Sequence, residues 1–380
     1  MPELGLVVLQ PTPFCNISCK YCYLPNRGST EQMSASTLER VFSNVFSSGW
    51  VGGNLDIAWH AGEPLVLPIR FYEDAIQIIN SMVPDGVDVN HVFQTNGTLI
   101  SAEWCEFFSA VNANVGISID GPPNLNDATR TTRTGRSTYD KTIAGIRLLR
   151  ANGIKFHVIT VLTAMSMAHA KELYEFYQSE GIERVCFNVE EIEGIHLDST
   201  LNVEGIEERY ANFLRSFWNL NVKFQSLKYI REFSNMFRNI VVPADARIRN
   251  SLAEPFAILN VDHAGNFSTY CPELLGNKSA DYADFLAGNI WQVSLQDALR
   301  DERFRKLRED VAQGVELCRA SCDHFGVCGG GSPGNKFFEN GAIASTETLA
   351  CRLGVKTVAE VSLEVLETTA IDSIVEADLR

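Results

Sequence analysis

The chain is short of positive charge. Its 32 lysines and arginines face 47 aspartates and glutamates, leaving a net charge of -15. That balance disfavours nonspecific binding to nucleic acid or to an anionic membrane, both of which need a basic surface. Long apolar runs are missing as well. No segment approaches the roughly 20 residues that cross a bilayer, and the N-terminus lacks the basic-then-apolar pattern of a secretory signal. A cytoplasmic protein with neither a nucleic-acid nor a membrane partner is therefore expected. No lysine follows Gly329, Gly330 and Gly331 at the spacing of a phosphate-cradling loop, so that glycine run reads as close backbone approach instead.

What remains is an ordinary globular composition, 45% hydrophobic and 21% charged over 380 residues, long enough for one large domain and a smaller appendage. The ten cysteines are the unusual feature. In a small secreted protein they would suggest disulfides; in a cytosolic chain, clustered cysteines more often bind metal or react. Cys105 and Cys186 sit in apolar surroundings and read as core. Cys15, Cys19 and Cys22 crowd into CNISCKYC, which suits an iron-sulfur cluster or a zinc ion. On a [4Fe-4S] cluster, three protein ligands would leave one iron open to a small molecule.

Around that stretch the hydrophobic pattern alternates. Leu4 to Gln10 reads as a buried strand ended by Pro11 and Pro13, and a helical stripe from Leu38 to Phe46 follows, behind an expected Ser36/Glu39 capping box. Strands at Leu55 to Trp59, Asn90 to Gln94, Val115 to Ile119, Phe156 to Val161 and Arg184 to Val189 alternate with further helices. Such βα repeats predict a partial (βα)6 barrel over residues 1–195, with its site at the C-terminal strand ends. Those ends carry the Cys15 loop, His60 to Glu63, Thr95 to Gly97, Ser118 to Gly121 and Glu190 to Glu191. A helical connector over 196–256 and a small α+β domain over 257–380 complete the expectation. That last domain contains a hairpin at 257–270, a cysteine-rich knot and a helix near Val358 to Ile371.

The CxxxCxxC loop after a strand, His60-Ala-Gly-Glu63-Pro64, Gln94-Thr-Asn-Gly97 and Ser118-Ile-Asp-Gly121 stand in the order found in radical S-adenosylmethionine (SAM) enzymes, which the chain resembles over roughly residues 5–190. The resemblance implies a [4Fe-4S] cluster on Cys15, Cys19 and Cys22 whose open iron holds SAM. It further implies Gly62 and Glu63 at the methionine amine, Ser118 at the ribose, Arg130 at the carboxylate, Tyr21 near the adenine, and Asn96 in the same cofactor set. Reductive cleavage of SAM would need a low-potential electron donor such as flavodoxin or ferredoxin, and would yield a 5'-deoxyadenosyl radical.

Cys318-xxx-Cys322-xxxxx-Cys328 and then Cys351 are similar to the SPASM domain of the same superfamily, here with fewer cysteines than two auxiliary clusters use. One auxiliary [4Fe-4S] cluster on Cys318, Cys322, Cys328 and Cys351 is implied, with Cys271 uncertain; structural zinc is the alternative. GGGSPGNKFFENG…STETLACRL and FNVEEIEGIH resemble the GrrM/OscB-type cyclophane-forming maturases. That branch implies a ribosomally made, glycine-rich precursor peptide as partner. A β-hydrogen would be abstracted and a carbon-carbon crosslink made to an aromatic side chain, with an electron and a proton lost. Asp120, Glu190, Glu191, Asp262 and Glu273 are the candidate bases. The alternatives are a sulfatase-maturase-like or thioether-forming enzyme, and a zinc-stapled binding protein without catalysis. Because the first strand starts near Met1, no leader-recognition domain is expected before the barrel, and the 257–270 hairpin edge is a candidate to hold the peptide as an added strand.

Overall fold

The computed structural model describes residues 2–241 and 249–368. Its strands are β1 (Leu4–Gln10), β2 (Ile17–Cys19), β3 (Val51–Trp59), β4 (Asp88–Thr95), β5 (Asn114–Ser118), β6 (Arg130–Thr132), β7 (Phe156–Leu162), β8 (Arg184–Val189), β9 (Tyr229–Ile230), β10 (Ile258–Asp262), β11 (Asn266–Thr269) and β12 (Gly288–Asn289). One sheet runs in the order β12-β11-β10-β1-β3-β4-β5-β7-β8-β9, parallel from β10 through β9. The six expected strands are its centre, so the fold is α/β, a partial barrel of parallel strands joined by helices. Val7, Val8 and Leu9 are all buried, the pattern of a parallel strand covered on both faces.

Helix Ala35–Ser47 turns Leu38, Val41, Phe42 and Val45 inward at helical spacing. Its cap corrects the Ser36/Glu39 reading. Ser34 holds the N-terminus, accepting from the Thr37 N–H at 3.0 Å, so the helix starts two residues earlier. Helix Ala170–Glu180 stops where expected, at Gly181, whose φ of 61° a side chain would strain.

The 257–270 hairpin forms, but not with a free edge. β10 pairs in parallel with β1 from Leu6↔Ile258 to Gln10↔Asp262, and β11 pairs with β12 at Asn266 and Phe267. A strand added to β10 would have to displace β1, and one added to β11 would have to displace β12 at Asn266 and Phe267, so the hairpin offers no full-length edge for a peptide. Helices Ile206–Phe224 and Arg231–Val241 lie after β8, and Phe213, Phe217, Phe233 and Phe237 from them are buried while Phe224 is exposed. The final described helix is Val358–Thr368, and the last residues of the expected Val358 to Ile371 helix lie outside the described residues.

Candidate active site

The cysteine loop is fastened from several sides. β2 pairs antiparallel with β6, bringing Cys19 opposite Arg130, and Lys20 N–H donates to the Thr129 carbonyl at 3.0 Å. Arg133 donates to the Cys15 carbonyl at 3.1 Å and Arg27 to the Cys19 carbonyl at 3.3 Å. Gly62 closes the other side. A Cβ there would lie 2.4 Å from the Thr12 carbonyl oxygen and 2.6 Å from that of Phe14, and φ is 62°, so only glycine fits.

Cys15, Cys19 and Cys22 open into a cavity of about 260 Å³ at the C-terminal strand ends, shared with Tyr21, Gly62, Glu63, Asn96, Ser118 and Arg130. All nine residues placed at the cluster and SAM by resemblance thus meet in one space. Burial pushes the Cys15 thiol up to about 12, with the charge of Glu63 adding to it. Burial also pushes the Cys19 thiol up to about 11, against the pull of Arg130. Thiols so placed ionise readily only when a metal takes the proton's place.

Glu63 reaches across to β4. Its Oε1 accepts from Thr95 Oγ1 at 2.5 Å and Leu65 N–H at 3.0 Å, and its Oε2 from Asn96 N–H at 2.7 Å. Burial still outweighs these bonds and raises its pKa to about 7. Asn96 Nδ2 donates to Asn16 Oδ1 at 2.8 Å, and Ser118 Oγ accepts from Gln94 at 2.9 Å. His60 stands within 3.3 Å of the Tyr23 hydroxyl, and burial lowers it to about 4, so it is neutral at physiological pH.

The five candidate bases part company. Asp120 is an anchor: Oδ1 accepts from Val161 N–H at 3.0 Å, and Oδ2 from Tyr21 Oη at 2.6 Å and Thr129 Oγ1 at 2.7 Å. Arg130 Nε lies 3.0 Å from the same Oδ2, close enough for an ion pair although the N–H is not aligned for a hydrogen bond. Asp262 is corrected outright. It ties the β10–β11 turn through Ala264 N–H and Asn266 N–H, each at 2.9 Å, and does not line the cavity. Glu190 lines it but is committed to Thr200 N–H at 2.8 Å and Thr200 Oγ1, with His196 Nε2 at 3.4 Å. Glu191 and Glu273 remain, joined by Glu193, and all three line the cavity. Desolvation, with the charge of Glu191, raises Glu273 to about 7. Desolvation, then Glu191 and Glu273, holds Glu193 well above the usual carboxylate range.

Cys318, Cys322, Cys328 and Cys351 line a second cavity, of about 300 Å³. Cys271 is apart from it, buried beside Gly334, where an added Cβ would meet its sulfur at 2.7 Å. Among the described residues no three His, Cys, Asp or Glu side chains converge on one metal-ion position.

The Radical SAM superfamily profile matches residues 9–177, which span the cysteine loop and the first strand ends. The chain belongs to the radical SAM superfamily. Within it, the chain is 41% identical over 370 residues to uncharacterized protein sll1766 of Synechocystis, covering 96% of this chain and 92% of that one. It is 28% identical over 350 residues to a serine-type anaerobic sulfatase-maturating enzyme of Bacteroides thetaiotaomicron, covering 85% and 81%. The fold is similar to the solved structure of native anSMEcpe with bound AdoMet and Cp18Cys peptide, with a TM-score of 0.79, 19% identity and coverage of 97% and 98%. The protein is an enzyme of this radical SAM class, related to sulfatase maturases. No described helix is long and apolar enough to cross a membrane.

The donor set fits what the superfamily implies. Three cysteines can hold a [4Fe-4S] cluster, and the carboxylates, amides, hydroxyl and guanidinium beside them can hold a zwitterion such as SAM. Tyr23 and Glu193 also line the cavity and carry no expected role from sequence, and His60, expected at a strand end but outside the cofactor set, lines it too. The third glutamate of EEIEG offered a signal for Glu193, but strand periodicity ends at Val189, and beyond it spacing no longer tells which side chains turn inward.

Proposed function

We propose that the enzyme modifies a ribosomally made, glycine-rich precursor peptide, taking a β-hydrogen from one residue and joining that carbon to a nearby aromatic ring. The observation that carries this reading is the single cavity in which Cys15, Cys19 and Cys22 meet Glu191, Glu193 and Glu273. When bound, the cluster and SAM supply one-electron chemistry able to take hydrogen from an unactivated carbon. Gly62 keeps the cysteine loop pressed to β3's end. Glu63 and Asn96 tie that loop to β4, while Asp120 holds Tyr21, Thr129 and Arg130 around Cys19. Rearomatisation releases a proton, and Glu273, which lines the cavity and is raised by desolvation and by Glu191, would take it. The auxiliary cluster, on Cys318, Cys322, Cys328 and Cys351, would accept the accompanying electron.

A second reading, oxidation of a serine or cysteine in a peptide, is favoured by the similarity to sulfatase-maturating enzymes. Mass spectrometry of the reacted peptide separates the two. Loss of a pair of hydrogens with fragments showing an aromatic residue joined to a neighbour supports the crosslink. The same loss confined to one serine or cysteine residue refutes it.

A further inference from the structure

A groove of about 510 Å³ joins the two cysteine sites. It shares Asn188, Val189 and Glu191 with the cavity at the strand ends, and Cys328 and Cys351 with the cavity of the second cysteine group. Asn188, Asn235, Asn239, Asn250 and Asn335 all line it. A carboxamide carries the same kind of donor and acceptor as a peptide bond; Asn250 is held at both ends, by the Gly329 and Gly331 carbonyls and Leu252 N–H, but the other four side chains spend only part of that capacity inside the protein. Asn188 Oδ1 accepts from Arg231 at 2.8 Å, leaving its amide nitrogen. Asn239 Nδ2 donates to the Val327 carbonyl at 3.0 Å, and Asn335 Nδ2 to Glu191 and Glu193 at 2.9 and 3.1 Å, leaving both carbonyl oxygens. Asn235 makes only long contacts, with Tyr229 Oη at 3.5 Å and Arg238 at 3.4 Å. Glu232 lines the groove too; its side chain is 7% exposed, and its Oε2 has no hydrogen-bond partner among the described residues. A buried acceptor left unmade is costly, so it marks where a donor from outside would be welcome.

We infer that this groove holds the substrate peptide as an extended chain through hydrogen bonds from its asparagines to peptide N–H and C=O groups. Recognition here is then of backbone rather than side chains. It suits glycine-rich segments, because contacts to peptide N–H and C=O groups ask for no side chain to fill a pocket. The inference rests on the peptide reading above and adds where and how the peptide lies.

The test uses the anaerobic holoenzyme and a fluorescein-labelled synthetic peptide of glycines around one phenylalanine, read by fluorescence anisotropy. The double variant Asn235→Leu/Asn239→Leu, with iron content and melting temperature reporting that it is folded, is expected to bind about tenfold more weakly. Sarcosine in place of glycine removes peptide N–H donors without touching the protein. It should weaken binding to the unmodified enzyme by a similar factor, and weaken binding to the double variant much less, because the partners are already gone. Equal affinity of the double variant and the unmodified enzyme overturns the groove. So does sarcosine peptide binding as tightly as the glycine peptide. No binding of the glycine peptide by the unmodified holoenzyme overturns the peptide reading beneath it.

Discussion

Arg130 Nε lies 3.0 Å from Asp120 Oδ2, and the two side chains are 7% and 3% exposed. Burial alone would lower the Arg130 pKa, and the groups around it, Asp120 foremost with Tyr21 and Cys19, together more than reverse this, so the guanidinium stays charged beside Cys19, with Nη1 3.7 Å from the cysteine sulfur. Asp120→Asn removes the counter-ion while leaving the shape. A buried charge stranded in this way is expected to cost about 3 kcal/mol of stability. Urea unfolding of the metal-free variant checks it, and a change below about 1 kcal/mol, the size of an exposed pair, would contradict the buried-pair account.

Gly62→Ala should be still less tolerated than its small size suggests. The methyl would meet two backbone carbonyls, those of Thr12 and Phe14, and the residue would be held at φ 62°. Strain and overlap together are expected to cost about 3 kcal/mol and to shift the cysteine loop. Iron retained after anaerobic reconstitution should fall along with the melting temperature.

Much of this frame was legible before any coordinates. Leu4–Gln10 and Arg184–Val189 are strands over the residues that hydrophobic patterning marks, and Gly181 ends its helix as a glycine stop should. What escaped were pairings between distant short segments. Three-residue strands such as Ile17–Cys19 and Arg130–Thr132 have no periodicity to detect, and their register is set by contacts across more than a hundred residues of sequence. The same limit hid β10's partner. Val261 and Leu259 read as strand residues, but nothing local says that they pair with β1. At the site, residue types at the strand ends were legible, whereas the division of labour was not. Asp120 and Asp262 look alike as letters; one is buried under three protein donors and a guanidinium, the other closes a turn.

Acid should destabilise the metal-free protein through its histidines. Burial lowers His60, His91 and His157 from 6.5 to about 4, with the nearby charges of Arg231 and Arg184 adding to the effect at His157. For His91 the neutral ring also accepts from Trp59 Nε1 at 3.3 Å. Between these values the unfolded chain binds more protons than the folded one, so stability is full above pH 6.5 and falls as pH drops towards 4. The loss for His91 is at most roughly 3 kcal/mol. His91→Gln should flatten the decline in urea midpoint between neutral and mildly acidic pH; an unchanged slope would contradict it.

The second cysteine group makes a countable prediction. Anaerobic reconstitution should give about eight irons per chain, and Cys328→Ala should leave about four, those of the first loop. Cys271→Ala should keep about eight, because Cys271 does not line the cavity of the other four cysteines. An equal loss from both variants would place Cys271 among the ligands.

The central claim is that the cavity holding Cys15, Cys19 and Cys22 takes hydrogen from a peptide. The most direct measurement supplies the reconstituted enzyme with SAM, a reductant and a glycine-rich peptide in which the residue beside the aromatic one is deuterated at its β-carbon. The account predicts deuterium in the released 5'-deoxyadenosine and a peptide lighter by one deuterium and one hydrogen. Deoxyadenosine free of deuterium, with the peptide unchanged in mass, would contradict it.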